Sequence, residues 1–178
     1  MKILVINGTP RAQGQTRVVY QHVVANLQES FPAQTVAGFD LAEARLPLYG
    51  YPLSEEEQTL VNDWVAQVAA ADAYVVLTPE YHHTISGALK NAFDHLPVRS
   101  MSDKFAAVVT VGGRYGGAHA AASAFAMLRG MRVWAVPSPV CIPLEERSAA
   151  KSLENPINQD RLTEVFGKLV AVAAAVRG

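Results

Sequence analysis

Residues 2–6 of this 178-residue chain form an apolar run that does not alternate with polar residues, and this feature narrows the fold most. A strand with one wet face alternates. A continuous run suits a strand covered on both faces, as in a parallel sheet. The pattern returns at residues 73–77, 105–111 and 132–136, with a weaker candidate at 34–39. Helical spacing follows each run. It brings together Val18, Val19, Val23 and Leu27, then Leu60, Val61, Trp64, Val65 and Val68, then Ile85, Leu89, Ala92, Phe93 and Leu96. Ala118, Ala121, Ala122, Phe125 and Leu128 form the fourth such face, and Leu162, Val165, Phe166, Leu169, Val170 and Ala173 the last. Strand then helix, five times over, predicts an α/β three-layer sandwich: a five-stranded parallel sheet with helices on both faces.

Five strands in this sequence fit the flavodoxin-like order 2-1-3-4-5. The length reads as one domain, residues 1–178. Half of the residues are hydrophobic and 17% are charged, which argues against disorder. A formal net charge of -1 gives no electrostatic support for nucleic-acid binding. The single cysteine, Cys141, excludes an intramolecular disulfide and a cysteine-based zinc cluster, and reads as an inert thiol. The apolar start is too short for a signal peptide, and no run approaches a membrane span of ~18 residues. The expectation is a cytoplasmic protein with no membrane and no nucleic-acid partner.

In an open α/β sheet ligands bind where strand ends feed helices. The first such loop reads Asn7-Gly8-Thr9-Pro10-Arg11-Ala12-Gln13-Gly14-Gln15-Thr16-Arg17. Thr9 and Thr16 offer hydroxyls, Arg11 and Arg17 offer charge, and the helix start offers N–H groups, so the loop suits a phosphate. It lacks the Gly-Lys-Ser/Thr of a Walker A loop and the Gly-x-Gly-x-x-Gly of a dinucleotide fold. The plain alternative is a helix N-cap at Thr16 and a solvated arginine. The third loop, Thr78-Pro79-Glu80-Tyr81-His82-His83, is stiffened by its proline and carries rings that can flank a flat ligand. The helix start after it is a second source of free N–H groups. In the fourth loop, Gly112-Gly113-Arg114-Tyr115-Gly116-Gly117, glycines let backbone approach a ligand closely.

Other stretches say less. Residues 46–52 put two tyrosines among prolines and glycine, an exposed loop that faces a ligand, a partner subunit or the core. Ser54 and Glu57 form a capping box. Residues 137–158 hold four prolines and no clear periodicity. They read as a long irregular loop that packs on a partner, covers the site or is partly disordered. The adjacent His82 and His83 invite a metal reading. No carboxylate or third histidine has an obvious spacing to them, so no metal site is expected.

The rim asks for one phosphate, one flat ring and backbone groups around it. FMN meets these demands, with its phosphate on Thr9, Arg11, Gln15, Thr16 and Arg17. Its ring is then expected along Pro79, Glu80, Tyr81 and His82 and beside Gly112 and Gly113. Asn7-Gly8-Thr9-Pro10-Arg11 with Thr16, and Pro79-Glu80-Tyr81 followed by Ser86-Gly87-Ala88-Leu89-Lys90-Asn91 and Asp94, resemble the NADPH-dependent FMN reductase family, in its azobenzene reductase branch. That family usually has Asn after Pro-Glu-Tyr, where this chain has His82. The resemblance implies a flavodoxin-like homodimer or homotetramer in which NADPH or NADH reduces FMN at N5. Electrons then pass to a small-molecule acceptor such as an azo compound or a quinone. No side chain is expected as an obligate catalytic acid or base, because the flavin carries the redox chemistry. The alternatives on the same fold are a flavodoxin-type electron carrier and a non-enzymatic binding protein.

Overall fold

A computed structural model describes residues 1–177. The strands β1 (Lys2–Asn7), β2 (Thr35–Asp40), β3 (Ala73–Pro79), β4 (Phe105–Gly112), β5 (Trp134–Ala135) and β6 (Val140–Pro143) form one parallel sheet. Its order is β2-β1-β3-β4-β5, with β6 also paired to β4. The helices are α1 (Gln15–Ser30), α2 (Glu55–Ala70), α3 (Gly87–Asp94), α4 (Ala118–Gly130), α5 (Ala149–Glu154) and α6 (Pro156–Arg177).

The continuous apolar run of β1 has a direct structural cause. Leu4 and Ile6 face one core with Trp64, Leu89, Phe93 and Leu128 of α2, α3 and α4. Ile3 and Val5 face the other, with Val19, Val23, Leu27, Phe166 and Leu169 of α1 and α6. Burial of each such side chain contributes about 1.5–3 kcal/mol, so a polar residue on either face would be costly. The polar handles in the first core are satisfied by backbone: the Trp64 indole donates to Ala92 O at 2.7 Å and the Tyr74 hydroxyl to Val68 O at 2.8 Å. β2 lies at the sheet edge with only Phe39 fully covered, which is why its pattern is weak.

The expected strand order holds, but its fifth position is split. Trp134 and Ala135 pair with Phe105 and Ala106; Val140 through Pro143 pair with Val109 through Gly112. Residues 136–139 therefore stand opposite only Ala107 and Val108, and two prolines fill that excursion. Residues 137–158 are thus not the irregular loop that their sequence suggests. They contain β6, α5 and the first turn of α6. The prolines sit where backbone donors are not needed: Pro137 and Pro139 between strands, Pro143 at a strand end, and Pro156 at the first position of α6.

Because the order reverses between β1 and β3, the loops after these strands flank one crevice at the carboxyl end of the sheet. The β4–α4 loop adjoins it, since Pro79 pairs with Val111.

Candidate functional site

The crevice is laced together from below. Gly8 donates its N–H to Leu77 O at 2.8 Å, and a Cβ there would stand 2.5 Å from the same oxygen. The hydroxyl of Ser86 donates to Gly8 O and accepts from Leu89 N at 3.0 Å. Thr78 Oγ1 accepts from Ser86 N at 3.2 Å. Ser86 is buried, so one side chain both caps α3 and fixes the first loop against the third. Sequence reasoning assigns it no role; the small polar residue before the helical pattern is the signal that marks such a cap. It also means that one N–H at the start of α3, that of Leu89, is already capped, so fewer are free there than expected.

The start of α1 is different. Gly14 is its N-cap, and no side chain bonds to its first turn. Thr9 and Thr16 are buried beside it, while Arg11 and Gln15 are exposed at the rim. The loop is held by Thr9 N to Asn7 Oδ1 at 3.3 Å, Arg11 N to Thr9 Oγ1 at 3.3 Å and Gly14 N to Arg11 O at 3.0 Å. Gln15 Oε1 accepts from Ala149 N at 2.7 Å, which ties α5 to the site.

A hollow of about 180 Å³ is lined by Thr9, Arg11, Gln15, Thr16, Pro79, Glu80, Tyr81, Gly112 and Gly113, together with Gly14, Val111 and Leu144. Ten of the eleven residues expected at the site thus fall into two groups, nine at this hollow and His82 outside it. Arg17 is the eleventh and lies elsewhere. Its Nε donates to Asp40 Oδ2 at 2.7 Å, its Nη2 pairs with Glu43 and its Nη1 reaches Ala12 O at 3.2 Å. The Asp40 hydrogen bond raises the guanidinium's pKa further. Arg17 braces α1 against the end of β2 rather than facing the hollow.

Gly113 differs from its neighbours. A Cβ on Gly112 would come within 2.6 Å of Gly117 N, and one on Gly116 within 2.6 Å of the Cys141 backbone. A Cβ on Gly113 would meet nothing within 4 Å. The first two glycines serve the loop's own packing; Gly113 leaves space.

A second cavity of about 690 Å³ opens on the other side of Tyr81. It is lined by Tyr81, His82, Thr84, Ile85, Gly87, Lys90, Ser123 and Met127. It is larger but holds no uncapped helix end, so the smaller hollow is the one suited to an anion. Tyr81 is the wall between them.

His82 and His83 occupy a two-residue hairpin turn. Tyr81 and Thr84 exchange backbone hydrogen bonds at 3.0 and 3.1 Å, and the two histidines have φ of 49° and 62°. The turn sends His82 to the large cavity and brings His83 toward Glu80 and His119. One Glu80 oxygen accepts from the N–H groups of His119 and Ala120, at 3.0 and 3.2 Å, and so caps α4. Its other oxygen stands 3.6 Å from Nδ1 of both His83 and His119. The sequence offers no visible third ligand beside the paired histidines. The structure gives two partners to His83 alone, Glu80 within the same loop and His119 from α4, and His82 is not among them.

A five-position parallel sheet with its crevice at the β1/β3 switch point, an uncapped helix and an open glycine edge defines the class of flavodoxin-like cofactor-binding proteins. The solved structures agree on that fold. The flavoenzyme NAD(P)H:(acceptor) oxidoreductase FerB from Paracoccus denitrificans superposes with a TM-score of 0.76 at 22% identity, covering 98% of this chain and 97% of its own. An FMN-dependent NADH-azoreductase from Bacillus anthracis, solved with FMN, gives 0.68 at 16% identity over 95% and 99% of the two chains.

The model of the NADPH-dependent FMN reductase family matches residues 1–145, and the chain belongs to that family. It is accordingly an oxidoreductase that works with FMN and a reduced nicotinamide nucleotide. An NADPH azoreductase from Bacillus sp. (strain OY1-2) is 39% identical over 143 residues, 80% of this chain and 76% of the relative. The FMN-dependent NADPH-azoreductase of Staphylococcus haemolyticus is 34% identical over 100 residues, and there the match spans about half of each protein, 54% and 52%.

Proposed function

We propose that this chain carries electrons from NADPH, by way of FMN, to small aromatic acceptors, with azo compounds first and quinones second. The observation that carries the reading is the uncapped start of α1, set beside Arg11 and facing the open edge at Gly113. These residues fit the cofactor. A phosphate needs unsatisfied N–H donors and a cation, and the first turn of α1 leaves its donors uncapped while Arg11 has no ion pair among the described residues. A flat ring needs an edge without side chains, which Gly113 provides.

In this reading Thr9, Arg11, Gln15 and Thr16 hold the phosphate. Pro79, Glu80, Tyr81, Gly112 and Gly113 bound the ring. When bound, FMN supplies the redox chemistry, taking electrons from the nicotinamide and releasing them to the acceptor. The protein's own task is positioning. Pro79 is buried at the end of β3, and the hydrogen bond from Glu80 N to Val111 O at 3.0 Å fixes the wall beside it. Tyr81 divides the cofactor side from the large cavity, which we assign to the acceptor. Ile85 and Met127 give that cavity an apolar lining for an aromatic body; Lys90 and Ser123 can meet its polar substituents. His82 lies on this side, so its role is toward the acceptor.

We further infer a cytoplasmic, single-domain homo-oligomer. The exposed Leu48, Tyr49 and Tyr51 support an interface, and use of a reduced nicotinamide supports the compartment.

The test is the visible spectrum of the purified protein, followed by NADPH without oxygen and then an azo dye. A yellow protein that NADPH bleaches and the dye restores is the expected result. A protein that stays colourless with added FMN, or a yellow one that NADPH cannot reduce, would refute the reading. Gly113→Val belongs in the same experiment. No protein atom opposes the first atom of its side chain, so it should fold while losing flavin at least tenfold, ~1.4 kcal/mol.

A further inference from the structure

We propose that Glu80, His83 and His119 form a binding site for a divalent transition cation of the zinc type, at the edge of the acceptor cavity. One carboxylate oxygen and one nitrogen from each imidazole converge, all within 4.8 Å of one another. The two Nδ1 atoms are 3.2 Å apart, and each lies 3.6 Å from Glu80 Oε1. Ligands held tetrahedrally at ~2.0–2.1 Å from zinc stand about 3.3–3.4 Å from each other. The triangle therefore has the right size already, and shifts of a few tenths of an ångström would complete it.

The backbone turn sets where His83 is presented. His83 has φ of 62°, and His82 before it 49°. Asparagine and glycine are the residues that such a two-residue turn favours, because a Cβ is strained in this region. The chain keeps a histidine at the second position, and its side chain is the one aimed at Glu80 and His119. The same two-residue turn recurs at Glu146 and Arg147, with φ of 47° and 61°, so what distinguishes His83 is that its side chain completes a ligand set. Glu80 is also oriented in advance. Its Oε2 is fixed by two N–H groups of α4, which leaves Oε1 directed at the imidazoles.

The competing occupant is a proton shared between the two rings. An N–H···N bond would account for the 3.2 Å separation. It would satisfy the nitrogen pair and leave Glu80 Oε1 at 3.6 Å from both, without a donor at hydrogen-bond distance. A cation uses all three atoms. The ring planes cross at 80°, so the two imidazoles meet edge to face rather than stacked. Two imidazoles and one carboxylate favour zinc over magnesium or calcium, which take oxygen ligands. The side chains of His83 and His119 are 77% and 57% exposed, so a fourth position stays open to water. A bound cation would clip the Tyr81–Thr84 hairpin to the first turn of α4, and so stiffen one wall of the acceptor cavity.

The experiment uses tag-free, flavin-loaded protein treated with a chelator, then titrated with zinc by calorimetry and followed by thermal denaturation. One zinc per chain is expected, with a rise in Tm. His119→Gln should weaken binding at least tenfold. His83→Gly should do the same, yet raise the Tm of the metal-free protein by about 2–4 °C, because the strained turn is relieved. That opposite pair of effects separates a lost ligand from a damaged fold. Excess magnesium should leave the zinc isotherm unchanged. Absence of zinc binding by the unsubstituted protein would leave only a histidine–histidine hydrogen bond and overturn the site. So would an isotherm that both substitutions leave intact. Zinc binding by a protein that fails to take up added FMN would support the cation site while counting against the cofactor assignment.

Discussion

Two helices that start on the same rim, α1 and α4, treat their first N–H groups in opposite ways. α4 is closed by the protein itself: Glu80, from a neighbouring loop, places a carboxylate oxygen on the N–H groups of His119 and Ala120. α1 begins at Gly14 with no side-chain cap. A helix start left without partners is unfavourable unless water or a ligand supplies them. The protein has carboxylates within reach of the α1 loop, yet Asp40 and Glu43 are engaged by Arg17. The difference teaches where the anion goes. Of these two helix ends, one is finished by the protein and the other is left for a ligand.

Finishing the unfinished end is the harshest way to break this comparison. Gly14→Asp would put a carboxylate where the phosphate is expected. Its Cβ meets Arg11 at 3.1 Å, so Gly14→Ala is the needed control for crowding alone. Relative to that control, the FMN dissociation constant should rise by roughly 30–100-fold, ~2–3 kcal/mol, read by fluorescence titration. Equal affinities for the two variants would show that no anion sits at α1. Removing the cation should cost less. Arg11→Ala is expected to weaken FMN about tenfold, ~1.5 kcal/mol, because the side chain is exposed and its charge screened. Riboflavin, which lacks the phosphate, should not distinguish Arg11→Ala from the unsubstituted protein; an equal loss for both ligands would place Arg11 at the ring instead.

The comparison also separates what could be read in the sequence from what could not. β1, β3 and β4 are legible because burial on both faces leaves a continuous apolar run. The Ser54 and Glu57 capping box is legible because both partners are local, and both of its hydrogen bonds form. β6 is not legible. It has four residues ending in proline, and only its ladder to β4 makes it a strand. The same division runs through the site. Thr9, Arg11 and Thr16 share one loop with the helix they serve. Arg11 and Arg17 look alike in that loop, and what separates them is Asp40, which pairing of β1 with β2 sets opposite Asn7. The link between Glu80 and His119 crosses 39 positions of the chain, so no local spacing could announce it.

α3 offers a milder test. Its cap, Ser86, is buried and serves the fold by bonding both Leu89 N and Gly8 O. Ser86→Ala should therefore lower stability by about 1–2 kcal/mol, seen in urea denaturation, and leave a buried carbonyl without its donor. Flavin affinity should fall much less than in Gly14→Asp. A large affinity loss at unchanged stability would mean that the α3 cap, too, belongs to the ligand.

The smallest effect on the cofactor is expected from Arg17→Ala, and it is the sharpest check on the two arginines. Arg17 spends its charge on Asp40 and Glu43, with Ala12 O taking a further N–H. Its removal leaves Asp40 with Asn7 Nδ2 as a side-chain donor, at 2.6 Å, and takes away one brace between the edge strand and α1, which Tyr20 still holds through its packing at Gly38. The melting temperature should fall. Flavin affinity should stay within about twofold, as for sites that share no partners. Should Arg17→Ala instead match Arg11→Ala in lost affinity, the Asp40 ion pair would have to open when the phosphate arrives. The two arginines would then form one clamp, and the first loop would be mobile in the flavin-free protein rather than set in advance.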